Sequence, residues 1–332
     1  MRLRPNADRM ARPRVAIGDE RPIFAPMRAI TLVLLAGIAA APALSAQRTA
    51  TAELRNRIAT RIAAVPGAEV AVSFRDLGTG DSLDLAADRS FHAASTMKVP
   101  VMIEVLRAVD AGRLRLDQPI LLVNQFASIV DGSPYQLDAG DDSDSLLYTR
   151  VGQRVPVSEL LERMITRSSN LATNALIALV GAENADASAH ALGATHIRVL
   201  RGVEDGKAFA AGLNNTTTSF DLAALLSHIE RHDGLSVERA TLMKQILLRQ
   251  ELNREIPAGL PAGTPVAHKT GWITGTLHDA AIVYPPGRAP YVLVVLTRNI
   301  PKEPDARALI VDVSRLVWEH ATGAPALAGP AR

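Results

Sequence analysis

Extended segments at both ends of this chain, with a mainly helical stretch between them, constrain its fold more than any other feature. Val70, Val72 and Phe74 alternate with smaller neighbours, a turn follows at Leu77-Gly78-Thr79-Gly80-Asp81, and Ser82–Leu85 returns. That is the pattern of a β-hairpin. Three more strands are expected over 264–271, 276–284 and 290–298, with a closing helix over about 304–321. Between these ends, helices are expected over about 95–111, 157–166, 170–180, 183–192, 218–232 and 236–249. A further amphipathic helix over 49–64 places Leu54, Ile58 and Ile62 on one stripe before Pro66-Gly67 stops it. Strands so far apart bury their faces by pairing into one antiparallel sheet, and the helices between them collect in a second lobe. The expected class is α/β in the α+β sense: an antiparallel sheet flanked by helices, plus an all-helical lobe. A site in the cleft between lobes would draw residues from each.

With 332 residues, 48% of them hydrophobic, the chain suits one sizeable domain. It has no cysteine, which excludes disulfides, thiolate nucleophiles and Cys-based metal sites. Residues 1–28 hold seven Arg against Asp8, Asp19 and Glu20, a net of +4, so the rest carries about −2 of the chain's +2. The body therefore makes no electrostatic appeal to nucleic acid. Met27-Arg28, the apolar run Ala29–Ala43 and the small residues up to Ala46 read as a secretory signal peptide. The run is short for a membrane span. Met27 is the expected start, and residues 1–46 form an extension with a leader. The expected location is periplasmic or secreted, with no stable membrane association after cleavage.

Ser95-Thr96-Met97-Lys98 puts a serine three residues ahead of a lysine. On a helix this spacing stacks both side chains on one face. A serine hydroxyl is a weak nucleophile until a base takes its proton, and a lysine can do so once burial or a nearby cation lowers its pKa. The pair alone also reads as a helix start capped by Ser95. Two further pieces follow in order, Ser168-Ser169-Asn170 and Lys269-Thr270-Gly271.

Together the three pieces resemble the motif set of the serine β-lactamase and penicillin-binding protein superfamily, class A branch, over nearly all of residues 50–322. The resemblance implies one catalytic domain over 47–332. Its α/β lobe would cover 47–94 and 216–325, and its helical lobe 95–215. By the same resemblance Ser95 is the acylated nucleophile and Lys98 its general base. Ser168 carries a proton to the leaving nitrogen, and Asn170 holds Lys98 and the substrate amide. Lys269 and Thr270 bind the substrate carboxylate, Gly271 lets the substrate backbone approach, and Trp272 gives its N–H to an oxyanion hole with that of Ser95. Ser169 stands where the class has Asp, and Trp272 is large for its place.

The loop over about 201–218 would carry the deacylating base, and Glu204 is its one glutamate. The family pattern has Asn four residues later, where this chain has Ala208, and an acid where it has Asn215. The resemblance implies a β-lactamase, with a D-Ala-D-Ala peptidase that deacylates slowly, or a cell-wall peptide sensor, as alternatives. The expected partner is a small β-lactam or cell-wall peptide, with no metal, no cofactor and a monomeric chain. Three other patterns are read as structural. The acidic stretch over 128–150 lacks the spacing of a calcium loop, His228 and His232 lack the glutamate of a zinc helix, and His278-Asp279 are strand neighbours facing opposite sides.

Overall fold

The computed structural model describes residues 30–324, with side chains from Gln47 onward. The expected leader over 27–46 lies outside the residues whose side chains are described. The chain divides between Ala46 and Gln47 into two units, and the larger carries the sheet. Helix α1 (Ile30–Ala63) covers the expected 49–64 segment up to Ala63 and starts well before it. Among the described residues no helix is long and apolar enough to cross a membrane.

Five strands form one sheet: β1 (Glu69–Asp76), β2 (Ser82–Leu85), β3 (Val266–Ile273), β4 (Thr276–Val283) and β5 (Tyr291–Arg298). Their order is β2-β1-β5-β4-β3, and every neighbouring pair is antiparallel. The distant ends of the sequence meet along β1 and β5, where Glu69 lies opposite Arg298 and Asp76 opposite Tyr291. The period of two then sorts the side chains. Val70, Val72, Phe74, Leu293 and Val295 pack on one face with Leu54 and Ile58 of α1 and with Leu309, Ile310, Val313 and Val317 of α9 (Glu303–Thr322). Ala71, Val292, Val294 and Leu296 belong to a second apolar cluster on the opposite face. Phe74 is fully buried, so truncating it to Ala would cost about 3–5 kcal/mol.

The second cluster joins α2 (Lys98–Asp110), α3 (Val157–Thr166), α4 (Asn170–Val180) and α5 (Ala182–His190) to α7 (Ser219–Arg231) and α8 (Val237–Leu248). Every residue of α2 from Lys98 to Leu106 is buried, which makes this helix the axis around which the others pack. Pro100 is its third residue, where an amide has no partner inside the helix. Thr218 caps α7 by accepting from the amide of Asp221, and Ser169 caps α4 by accepting from that of Ala172.

Three expectations need correction. The α-helix starts at Lys98, and Ser95 sits in a preceding 3₁₀ turn (Ala94–Met97). The irregular stretch after Arg201 contains a short helix, α6 (Gly206–Ala210), capped by the Asp205 carboxylate. The polar, Asp-rich composition of 128–150 suggests a surface loop, but Asp142 and Asp144 are buried, and residues 145–150 form a 3₁₀ helix.

Candidate active site

The Ser95 turn is held from two sides. Ala94, just before the serine, has φ +45°, an unfavourable value for a residue with a Cβ. His92 stabilises it by accepting the Ala94 amide proton on Nδ1 (3.0 Å), and His278 Nε2 in turn bonds the His92 carbonyl (2.9 Å). On the other side lies β3. A Cβ on Gly271 would stand 3.1 Å from the Ser95 nitrogen and 3.2 Å from Ala94 Cβ and Thr96 Cγ2. The space left by this glycine is thus used by the serine's own turn, where the sequence reading had assigned it to substrate. In a 3₁₀ turn, residues three apart lie in line, so Ser95 and Lys98 share one side.

Two buried lysines meet at one hydroxyl. Lys98 Nζ donates to the Ser168 carbonyl (2.6 Å), to Ser168 Oγ (3.2 Å) and to Asn170 Oδ1 (2.9 Å). Lys269 Nζ donates to the same Ser168 Oγ (2.9 Å) and to the Thr270 carbonyl (2.8 Å). Both lysines are fully buried. Burial pushes Lys98 down to about 7, against the opposing pull of Asp142 and Glu204. Burial lowers Lys269 as well, helped by the charge of Lys98. Ser168 holds φ +58° to present its hydroxyl between them.

Asp142 belongs to the site although no motif of the sequence marks it. Its carboxylate accepts the first two amides of α4, from Asn170 (2.8 Å) and Leu171 (2.9 Å), and the hydroxyl of Tyr148 (3.1 Å). An anion at a helix N-terminus is favourable, and here it orients Asn170 toward Lys98. The clue in the sequence was only an acid 28 residues before the helix it caps.

Glu204 lies in the loop after Arg201, is exposed, and holds φ +61°. Asn170 Nδ2 donates to its Oε1 at 3.4 Å, so Asn170 links Glu204 to Lys98. Three of the six non-glycine residues with positive φ among those described are Ala94, Ser168 and Glu204. Such strain gathers where function over-determines the backbone. Asn215 joins the two ends of the loop. Asn215 Oδ1 accepts from the amides of Leu200 (2.8 Å) and Arg201 (3.2 Å), and its Nδ2 donates to the Arg201 carbonyl (3.0 Å). The Arg201 side chain donates to Leu213 O, Gly202 O and Asn214 Oδ1. Ala208, in the family's Asn position, is buried.

A cavity of about 360 Å³ opens beside these groups, lined among others by Ser95, Asn170, Glu204, Phe209 and Trp272. Trp272 is 55% exposed, so its ring borders the opening. Thr270 is buried. His278 and Asp279 do face opposite sides: His278 packs against Phe91, while Asp279 accepts from the Ile256 amide (3.0 Å) and bonds His268 (2.9 Å), both members of the latter pair being fully buried. His228 pairs with Asp233, and His232 ends α7 in a left-handed conformation.

A profile of the Beta-lactamase enzyme family matches residues 53–321. The chain is 32% identical over 257 residues to β-lactamase AST-1 of Nocardia asteroides, a match covering 76% of this chain and 78% of the relative. It is similar to the crystal structure of a β-lactamase from Sphaerobacter thermophilus (TM-score 0.71, 27% identity, 81% of this chain and 98% of that one). It is also similar to a mutant of PBP-A in an acyl-enzyme complex with penicillin G (TM-score 0.70, 29% identity, 81% and 96%).

Proposed function

The chain belongs to the β-lactamase enzyme family, and on that premise we propose that it is a serine hydrolase opening β-lactam amides through an acyl-enzyme on Ser95. Neutral Lys98 takes the Ser95 proton as the hydroxyl attacks the lactam carbonyl. The amides of Ser95 and Trp272 receive the developing oxyanion. Ser168 passes its proton to the departing nitrogen as the lactam C–N bond breaks, and takes back from Lys98, 3.2 Å away, the proton that came from Ser95. Lys269, on the far side of the Ser168 hydroxyl, donates a hydrogen bond to the substrate carboxylate with Thr270. Asn170 holds the substrate amide. Glu204 then takes a proton from the water that attacks the ester, and a proton is returned to Ser95 Oγ as the ester C–O bond breaks, which frees the serine. The two walls of the cleft are the sheet lobe over 47–94 and 216–325 and the helical lobe over 95–215. The leader reading supports export to the periplasm or beyond the cell, and the exported chain is taken as a monomer.

The observation that carries this reading is the junction at Ser168 Oγ, where Lys98 (3.2 Å) and Lys269 (2.9 Å) from distant segments converge. Steady-state hydrolysis of penicillin G by the parent and by Ser95→Ala tests it. The variant is expected to lose covalent labelling and turnover together; labelling that survives would remove Ser95 as nucleophile. One observation favours a second reading, a penicillin-binding peptidase that deacylates slowly. The family's Asn beside the attacking water is replaced by buried Ala208, leaving that water one fewer polar partner.

A further inference from the structure

We propose that Asp205 is the positioning residue for deacylation: its buried carboxylate clamps the loop bearing Glu204 to the segment around Ser128, and so fixes where Glu204 points. The inference rests on Glu204 being the base. Asp205 is 2% exposed. Its Oδ1 accepts from Ser128 Oγ (2.9 Å) and the Ala208 amide (3.0 Å), and its Oδ2 accepts from the Ile129 amide (3.0 Å). Burial pushes its pKa up, but these hydrogen bonds outweigh that and leave it low. Asp205 is therefore an anion whose two oxygens are both engaged, which leaves it unfit to take a proton from water itself.

The neighbour on the other side of Glu204 is fixed as firmly. The Val203 amide donates to Asn174 Oδ1 (2.7 Å), and the Val203 carbonyl accepts from Asn174 Nδ2 (3.0 Å) and Tyr135 OH (3.2 Å). Tyr135 lies in the same stretch as Ser128 and Ile129, so that stretch holds the loop on both sides of the glutamate. Lys207 and Asp131 add an exposed ion pair (2.7 Å) between the same two segments, which contributes little. Glu204 stands between two clamped residues at φ +61°, with its side chain exposed and its Cα–Cβ direction determined by them. The hydrogen bonds of Lys98 and Lys269 run to Ser168, Asn170 and Thr270. The clamp therefore acts first on deacylation, and it reaches acylation only through the one long bond from Asn170 to Glu204 (3.4 Å) and the charge of Glu204 on Lys98.

Separate acylation and deacylation rates with penicillin G, from quenched intact-mass kinetics on the full chain, test this. Asp205→Ala is expected to slow deacylation on the order of 100-fold, as misplacement of a catalytic group does, with acylation changed far less. In the steady state kcat and KM then fall together and kcat/KM stays nearly constant. Asp205→Asn keeps one acceptor oxygen and should recover part of the loss. Ser128→Ala removes one bond of three and should show the smallest effect of the same kind; it decides the matter if Asp205→Ala does not fold. Parallel loss of acylation and deacylation would reduce Asp205 to general support and overturn the inference. So would parental deacylation in Asp205→Ala while Glu204→Gln still traps an adduct. Parental deacylation in Glu204→Gln would instead remove the base, and the inference with it.

Discussion

Lys98, Ser168 and Lys269 reach the site from the first residue of a helix, the turn before another helix and the middle of a strand, and all three are buried. Glu204 reaches it from a loop, is exposed, and makes one long hydrogen bond to Asn170. The groups assigned to acylation are thus seated on elements whose positions the core dictates. The group assigned to deacylation hangs on a segment whose shape depends on a few side-chain hydrogen bonds. The two halves of the reaction should therefore fail separately, and a family member can lose the second while keeping the first.

The largest effect that sharpens this contrast is Lys98→Met, which removes the base but keeps apolar bulk. Acylation should slow about 10²–10⁴-fold, the usual worth of a positioned base, while any adduct that forms still deacylates. Stopped-flow acylation reads this directly, and unimpaired acylation would give the base role to another group.

Next come two glycines, one in each half. Gly271→Ala sets a Cβ 3.1 Å from the Ser95 nitrogen, and Gly202→Ala sets one 2.6 Å from Asn174 Oδ1. The first should slow acylation by displacing the serine's turn. The second should slow deacylation by loosening the Asn174 grip on Val203. Each loss is expected to be about tenfold or more, since small displacements of reacting groups are costly. If both variants lose the same step, the division of labour is wrong.

The pH profile gives a subtler comparison. Lys98 acts as a base only when neutral, and burial holds it at about 7. So kcat/KM for acylation should rise with pH through about 7 and level off above. Asp142 favours the ammonium form, so Asp142→Asn should move this limb to lower pH. A shift to higher pH would disconnect Lys98 from the limb.

The smallest effect concerns the loop's neutral closure. Asn215→Asp would set a carboxylate oxygen where Nδ2 now donates to the Arg201 carbonyl. It should destabilise the fold by about 1–3 kcal/mol, the cost of an unmet buried polar group, instead of creating a stabilising ion pair. A thermal melt with a raised midpoint would contradict this.

The two halves also differed in how well the sequence revealed them. Ser95 and Lys98 are three residues apart, and the segments around Ser168 and Lys269 are compact motifs, so local spacing exposed them. The five strands and most helices followed from periodicity for the same reason. Asp142 and Asp205 act on groups 28 and 76 residues away, and nothing local marks an acid that caps a distant helix or pins a distant loop. Asn215 showed in the sequence only as a missing acid, although in the fold it closes the loop with three hydrogen bonds. For Asp279 the neighbour His278 drew attention, whereas the pairing of β3 with β4 brings His268 to it.

The most direct test of the account is an intact-mass time course of the parent protein and Glu204→Gln mixed with penicillin G. The parent should show a transient mass increase with hydrolysed product, and the variant a persistent one. Identical clearance of the adduct in both would contradict it, by showing that the exposed loop carboxylate takes no part in releasing the acyl group.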